Sequence, residues 1–171
     1  MKKIKDITLI GMFVAILIGG QWALSSISGV EVITVLLLCF SYVFGWKRGV
    51  LVATTFSILR CFIFGFFIQV IILYLIYYNI FALYFGLLGR GFTGKVSIKR
   101  YVLVVVSAVI FTVLFTLLDN VITPFIYGFN ESARTAYFWT SIYAAIPQTI
   151  CTIITVTAFF KPLTKVLYKC R

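Results

Sequence analysis

Six long apolar stretches dominate the chain and constrain its fold more than any other feature. They cover about 7–25, 31–45, 49–67, 69–89, 101–119 and 137–160. An α-helix needs about 17–25 apolar residues to cross a lipid bilayer. Of the 171 residues, 63% are hydrophobic and 11% are charged, which is more apolar surface than a soluble domain of this size can bury. The sequence therefore predicts an all-α membrane protein, a single domain (residues 1–171) of six transmembrane helices.

The N-terminus begins like a secretory signal peptide, with Lys2, Lys3 and Lys5 before an apolar run. The apolar part of a signal peptide is about 7–15 residues long. Here the run continues to about Leu24. We interpret it as a transmembrane helix that is retained in the protein.

The basic residues indicate how six helices would be oriented. Thirteen of the 15 lysines and arginines fall at the termini or in the second and fourth connections, which share one side of the membrane. They are Lys2, Lys3, Lys5, Lys47, Arg48, Arg90, Lys95, Lys99, Arg100, Lys161, Lys165, Lys169 and Arg171. By the positive-inside rule this side, with both termini, is cytoplasmic. The net charge of +11 is then explained by topology and by anionic lipids, without nucleic acid.

The connection after the fourth helix is similar in sequence to a phosphate-binding loop but lacks its chemistry. It reads GRGFTGKV (residues 89–96). A phosphate-binding loop follows a strand, places the anion at a helix N-terminus and offers a Ser or Thr hydroxyl to magnesium. Here a transmembrane helix precedes the loop and Val96 stands at the hydroxyl position. We predict a flexible basic loop and expect any ATP hydrolysis to belong to another subunit.

Groups that bind metals or move protons are scarce. The chain has no histidine, and its four carboxylates (Asp6, Glu31, Asp119 and Glu131) are far apart in sequence. Its four cysteines lack the paired spacing of a metal site or a disulfide framework. We therefore expect no metal, no cofactor and no enzymatic activity, because membrane transferases and phosphatases need such clusters.

Arg60 is the most informative single residue. It lies about 12 residues into the third apolar stretch, and therefore about 18 Å from the inner boundary at 1.5 Å per residue. An arginine at this depth is costly unless it faces a partner or a wet cavity. It either forms a salt bridge to Asp119 or Glu31, or contacts an anionic or carbonyl-bearing ligand. The two alternatives are compatible if the bridge lines a pocket.

Asn79 and Gln148 fall at a similar depth in the fourth and sixth stretches. Together with Arg60 they suggest a common interior cavity, although each amide alone more often forms a hydrogen bond between helices. Asp119 and Asn120 end the fifth stretch and form either the rim of the pocket or an interfacial pair. The segment 120–136 that follows is predicted as the longest outer loop, which either closes over a ligand or merely connects.

Aromatic side chains gather in the outer half of the predicted bundle. Trp22 and many tyrosines there fit the aromatic belt at a membrane interface. Trp139 and Tyr143 share one face of the sixth helix, one turn above Pro147. Because proline frees the carbonyl of Tyr143, we expect a kink at this point. Such a kink often accompanies a cavity, in which a flat ring could stack on these side chains.

Small residues form a row on the first helix, at Gly11, Ala15, Gly19 and Ala23. Positions four apart lie on one helix face, so this row allows a second helix to approach closely. Rows of this kind usually pack against a neighbour in the same chain. A chain with a plausible pocket and no visible energy source also needs a partner, and the row is its best docking surface. We assign docking mainly to the half between Gly11 and Gly19.

The whole layout resembles the S components, the substrate-binding membrane subunits of energy-coupling factor (ECF) vitamin transporters. The resemblance rests on the length of 171 residues, the six predicted spans and the predicted cytoplasmic position of both termini. It also rests on the basic N-terminus, which is followed by the helix with the small-residue row. The stretches EVITVLLLCFSYVFGWKRGVLVATTFSILRCFIFGF (31–66) and 139–148 are also similar to uncharacterised members. In that family the first helix carries an Ala-x-x-x-Ala type of motif that packs on the coupling subunit. Here Ala15 matches the motif and Gly19 stands at the paired position.

The resemblance implies a six-helix protein of a prokaryotic plasma membrane that binds a vitamin or related small molecule near its outer face. Its partners would be a transmembrane coupling subunit, two ATPase subunits and the lipid bilayer. The candidate substrate-binding residues are Trp22, Glu31, Arg60, Asn79, Asp119, Asn120, Trp139, Tyr143 and Gln148. The candidate docking residues are Gly11, Ala15, Gly19 and Ala23. The alternative function is a stand-alone secondary transporter of six helices.

Overall fold

A computed structural model shows an all-helical protein and describes residues 2–25 and 32–170. In chain order its helices are α1 (Lys2–Leu24), α2 (Ile33–Phe44), α3 (Trp46–Phe64), α4 (Ile68–Leu88), α5 (Ile98–Tyr127) and α6 (Glu131–Lys169). No strand occurs in these residues, so the predicted all-α class is confirmed for this part of the chain, which contains six helices. Glu31, at the predicted start of the second helix, lies outside the described residues.

The predicted outer loop at 120–136 is wrong, because most of it is helical. α5 has 30 residues and α6 has 39, which leaves only 128–130 as the connection. Gly128 ends α5 with a left-handed backbone (φ 61°, ψ 39°), a conformation that favours glycine. The Asn130 side chain then begins α6 by accepting a hydrogen bond from the Ala133 N–H at 2.9 Å, the usual role of an N-cap residue. Pro124 lies inside α5 and does not end it.

The short helix α2 forms the centre of the bundle. All of its 12 residues except Leu36 are buried, and it packs against α1, α3, α4 and α6. Phe40 lies on Phe13 of α1 with ring centroids 4.4 Å apart, and Tyr42 lies on Phe160 of α6 at 5.2 Å. A helix that is hydrophobic on every face is stable only when other helices surround it. The core of the protein is therefore built around α2.

Contacts between helix ends define two ends of the bundle. Asp6 near the start of α1 forms an ion pair with Arg48 near the start of α3 (2.9 Å). Phe92, which follows α4, packs on Tyr168 at the end of α6. We call this the basic end, because the lysine and arginine clusters lie there, and we call the opposite end the far end. A single residue, Gly45 (φ 88°), joins α2 to α3 at the basic end.

Four of the helices in the described residues are long and apolar enough to cross a membrane. They are α1 (from Ile4), α4, α5 and α6. At 12 residues, α2 is shorter than a membrane-spanning helix, and α3 carries Lys47, Arg48 and Arg60. The lengths and compositions thus agree with a membrane-embedded protein.

Close packing between α3 and α4 leads to a prediction about stability. A Cβ atom added at Gly86 of α4 would overlap the backbone of Trp46. Gly86→Ala is therefore expected to destabilise the fold by about 1–3 kcal/mol, the usual cost of overpacking a core. Thermal unfolding in detergent measures the effect. Gly20→Ala is the matched control, because a Cβ at Gly20 meets no atom within 4 Å. Equal melting temperatures for the two variants would contradict this packing.

Candidate functional site

Arg60 lies where three helices meet, one turn before the end of α3 at Phe64. Its Nε donates a hydrogen bond to Oε1 of Gln21 in α1, at 3.1 Å. Its guanidinium carbon lies 4.4 Å from the ring centroid of Tyr74 in α4 and 5.0 Å from that of Phe64. Both distances are in the range of cation–π attraction. We call Gln21, Arg60, Phe64 and Tyr74 the Arg60 cluster.

The partners of Arg60 in the described residues are neutral. The one ion pair between described side chains joins Arg48 to Asp6 at the basic end, so no described carboxylate lies within 4 Å of Arg60. The predicted salt bridge to Asp119 is therefore absent, and the alternative partner Glu31 lies outside the described residues. A guanidinium has five N–H donors, of which one binds Gln21. A half-buried positive charge with a neutral amide and two rings is suited to an anionic or carbonyl group.

An aromatic wall holds the Arg60 cluster in place. The ring of Tyr74 packs on Phe56 of α3 at 6.4 Å, on Tyr78 of α4 at 4.9 Å and on Phe115 of α5 at 6.0 Å. Phe56 and Tyr78 are fully buried. Because interlocked rings of this kind restrict each other's rotamers, Tyr74 offers a fixed face to the guanidinium. The wall connects α3, α4 and α5.

Asn79 and Arg60 have different side-chain partners. Its Oδ1 accepts a hydrogen bond from Thr54 of α3 at 2.9 Å, and its Nδ2 donates to the carbonyl of Leu75 at 2.8 Å. Thr54 precedes Arg60 by six residues, which is about 9 Å along α3. Asn79 thus forms the hydrogen bond between helices that was the alternative explanation for it. Gln148 is half-buried in α6, and its main-chain carbonyl accepts from Thr152 at 3.0 Å.

Asp119 and Asn120 hold α5 against α6. The carboxylate of Asp119 accepts hydrogen bonds from Tyr137 Oη at 2.5 Å and from Thr123 Oγ1 at 2.6 Å. Asn120 Oδ1 accepts from Ser141 Oγ at 2.6 Å. These bonds satisfy polar groups between two apolar helices, a requirement in lipid. They place both residues in a helix contact and leave Asp119 without a contact to Arg60.

The three predicted aromatic ligand contacts are exposed on the protein surface. The exposed fraction is 68% for Trp22, 57% for Trp139 and 72% for Tyr143. α6 runs across Pro147 as one helix, and this face of it is not covered by another described helix. Such exposure agrees with the alternative explanation, an aromatic belt at the membrane interface.

The small-residue row of α1 points away from the bundle. Gly11, Ala15, Gly19 and Ala23 are all exposed, whereas Phe13, Val14 and Leu17 on the opposite face are buried. A Cβ at Gly11 or Gly19 would meet no atom within 4 Å. No described helix of this chain therefore uses the row for close packing. The face is open to lipid or to a helix of another protein.

Several partners of the predicted residues escaped sequence reasoning. Gln21 carried a usable signal, because a glutamine in an apolar helix is the same feature that singled out Gln148. Thr54, Thr123 and Ser141 carried none, because Ser and Thr hydroxyls in helices usually bond to their own main chain. Tertiary contacts alone identify these three.

No known protein family, curated protein or solved structure matches this chain.

Proposed function

We propose that the chain is the substrate-binding membrane subunit of an ECF-type importer. It captures a small anionic or carbonyl-bearing molecule of the vitamin class at the Arg60 cluster. It then delivers the ligand inward while docked on a transmembrane coupling subunit driven by two ATPases. In this proposal six helices cross a prokaryotic plasma membrane with both termini in the cytoplasm, and the far end faces outward.

The observation that carries the proposal is the chemistry around Arg60. A guanidinium that is half-buried among Gln21, Phe64 and Tyr74 retains N–H donors and an uncompensated charge among the described residues. A planar ligand with a carboxylate, phosphate or polarised carbonyl supplies the complementary acceptor. The ring of Tyr74 adds a flat surface beside the charge.

The small-residue row supports the dependence on a partner. A row that lies on the exposed face of α1 leaves room for the backbone of another helix at close range. Gly11 and Gly19 have open space outside them, so docking there needs no rearrangement of the bundle. Ligand site and docking row lie on different faces, as expected for a subunit that binds one molecule and transmits it through another protein.

One experiment identifies the ligand and separates the subunit from a stand-alone carrier. The protein is purified in mild detergent, small molecules are extracted from it, and mass spectrometry compares them with those from the Arg60→Ala variant. A planar molecule with an acidic or carbonyl group is expected in the wild-type extract and is expected to be depleted at least tenfold in the variant. Its uptake into vesicles is then measured with and without the coupling subunit and the two ATPases. Uptake without these subunits and without ATP would contradict the proposal and identify a secondary transporter.

A further inference from the structure

A groove runs along the outer surface of the α5–α6 pair, on the side of α5 away from α4. Its lower part has a volume of about 380 Å³ and lies between Val113 and Leu117 of α5 and Ile142, Ile146 and Ile150 of α6. The rest of its lining is Ala145, Thr116 and Thr149, with Asn120 and Phe138 at its upper edge, and none of these side chains is charged. Its wall is therefore suited to a hydrocarbon chain.

The upper part of the groove, toward the far end, adds charged and polar side chains to an otherwise apolar lining. It has a volume of about 510 Å³ and is lined by Pro124 and Phe125 together with Asn120, Arg134 and Thr135. The two parts adjoin, because Asn120 and Phe138 line both. The groove thus changes along its length from hydrocarbon-like to cationic and hydrogen-bonding.

The change in polarity occurs at the depth of a lipid headgroup. Arg100, at the basic end of α5, precedes Asn120 by 20 residues, which corresponds to about 30 Å of helix. This distance equals the thickness of the hydrocarbon core of a bilayer, about 30 Å. Arg134, which lines the same upper part as Asn120, therefore lies near the far interface.

The guanidinium of Arg134 in the upper part lacks a partner among the described residues. Arg134 is exposed and no described carboxylate lies within 4 Å of it, although Glu131 is only one turn away in α6. A phosphate group supplies acceptors of the geometry that an arginine fork binds.

We propose that this groove is a binding site for an anionic phospholipid. One acyl chain lies in the lower part between α5 and α6, and the phosphate lies at Arg134. The occupant is a lipid rather than a second protein helix, because the uncharged lower part leads directly to a cationic side chain, Arg134, at the depth where the headgroup begins. This site is separate from the Arg60 cluster and does not rest on the function proposed above.

Quenching of a single tryptophan by brominated lipids tests the proposal. Trp22, Trp46 and Trp139 are replaced by phenylalanine, and Phe138→Trp places the reporter where the two parts of the groove meet. Ile154→Trp, at a position 60% exposed on α6 and outside the groove, is the matched reporter for bulk lipid. Each protein is reconstituted in vesicles that contain either brominated phosphatidylglycerol or brominated phosphatidylcholine.

At Phe138→Trp, phosphatidylglycerol is expected to bind about threefold more strongly than phosphatidylcholine, and the preference is expected to fall as salt screens the charge. Adding Arg134→Gln should make the two lipids bind equally strongly. Ala145→Phe fills the lower part of the groove, so it should reduce quenching of the reporter by either lipid. The Ile154→Trp reporter should show no preference. Equal quenching by the two lipids at Phe138→Trp, or a preference that survives Arg134→Gln, overturns the proposal.

Native mass spectrometry of the unaltered protein provides a second measurement that does not depend on the tryptophan replacements. Phosphatidylglycerol adducts are expected on the wild-type chain and are expected to be at least threefold fewer on Arg134→Gln. Equal numbers of phosphatidylglycerol adducts on the wild-type chain and on Arg134→Gln would contradict the proposed site. A dimer that shields Phe138→Trp from both lipids also contradicts it and assigns the groove to a second copy of the chain.

Discussion

Arg60→Ala is expected to weaken ligand binding by about 10- to 150-fold, because a hydrogen bond to a charged group contributes about 1.5–3 kcal/mol. Arg60→Lys should recover only part of this loss. A lysine keeps the charge but lacks the planar fork that binds two acceptors and stacks on Tyr74. Isothermal titration with the molecule found in the wild-type extract measures the affinity of each variant.

Matched variants separate a ligand contact from a structural role. Arg48→Gln removes an arginine of the same helix that pairs with Asp6 at the basic end, and it should leave the affinity unchanged. Gln21→Ala should cause a smaller loss of affinity than Arg60→Ala, because Gln21 orients Arg60 but is not itself proposed to bind the charged group of the ligand. If Glu31 neutralises Arg60, both Glu31→Gln and Arg60→Ala will lower the melting temperature while the affinity stays at the wild-type value. That result would refute the proposed ligand contact.

Gly19→Leu is expected to reduce ATP-dependent uptake to below about a tenth of the wild-type rate while ligand affinity stays the same. A leucine at this position points into the space that a docked helix would occupy, and overpacking of an interface costs about 1–3 kcal/mol. The fold should tolerate the change, because Gly19 is exposed and a Cβ added there meets no atom within 4 Å. Uptake in cells that co-express the coupling subunit and the ATPases is compared with binding to the purified variant.

Gly20→Leu is the control for this experiment. It makes the same exchange one residue further along α1 and off the row, at a half-buried position where an added Cβ also meets no atom within 4 Å. Normal uptake is expected for this variant. Two outcomes would exclude the row as the docking face: equal loss of uptake in both leucine variants, or loss of ligand binding in Gly19→Leu.

Much of the helix content could be predicted because apolar length is a strong signal. The first four helices lie within five residues of their predicted bounds, and a short connection at 65–67 joins α3 to α4. The outer parts of α5 and α6 were missed because Pro124, Gly128 and Asn130 together suggested one long loop. The correct signals were present in Gly128 and Asn130, a C-terminal glycine and an N-cap placed two residues apart.

The candidate site was harder to predict, because a list of polar residues does not say which of them meet. Arg60 was recognised from its cost in lipid, but its described partners Gln21 and Tyr74 belong to two other helices. Asp119, the predicted partner, is instead bonded to Tyr137 and Thr123. Asn79 and Arg60 were placed at one level by counting residues, but Asn79 bonds to Thr54, which lies six residues before Arg60 on α3.

The amino-acid sequence by itself determined the class of this protein, its helical segments and the clustering of basic residues at one end. These properties depend on the length and composition of continuous segments. The tertiary structure decided which face of each helix is buried, including the outward direction of the row on α1. In a soluble helix a polar stripe marks the outer face, but lipid tails are as apolar as a protein core, so the sequence of a membrane helix carries little of this information.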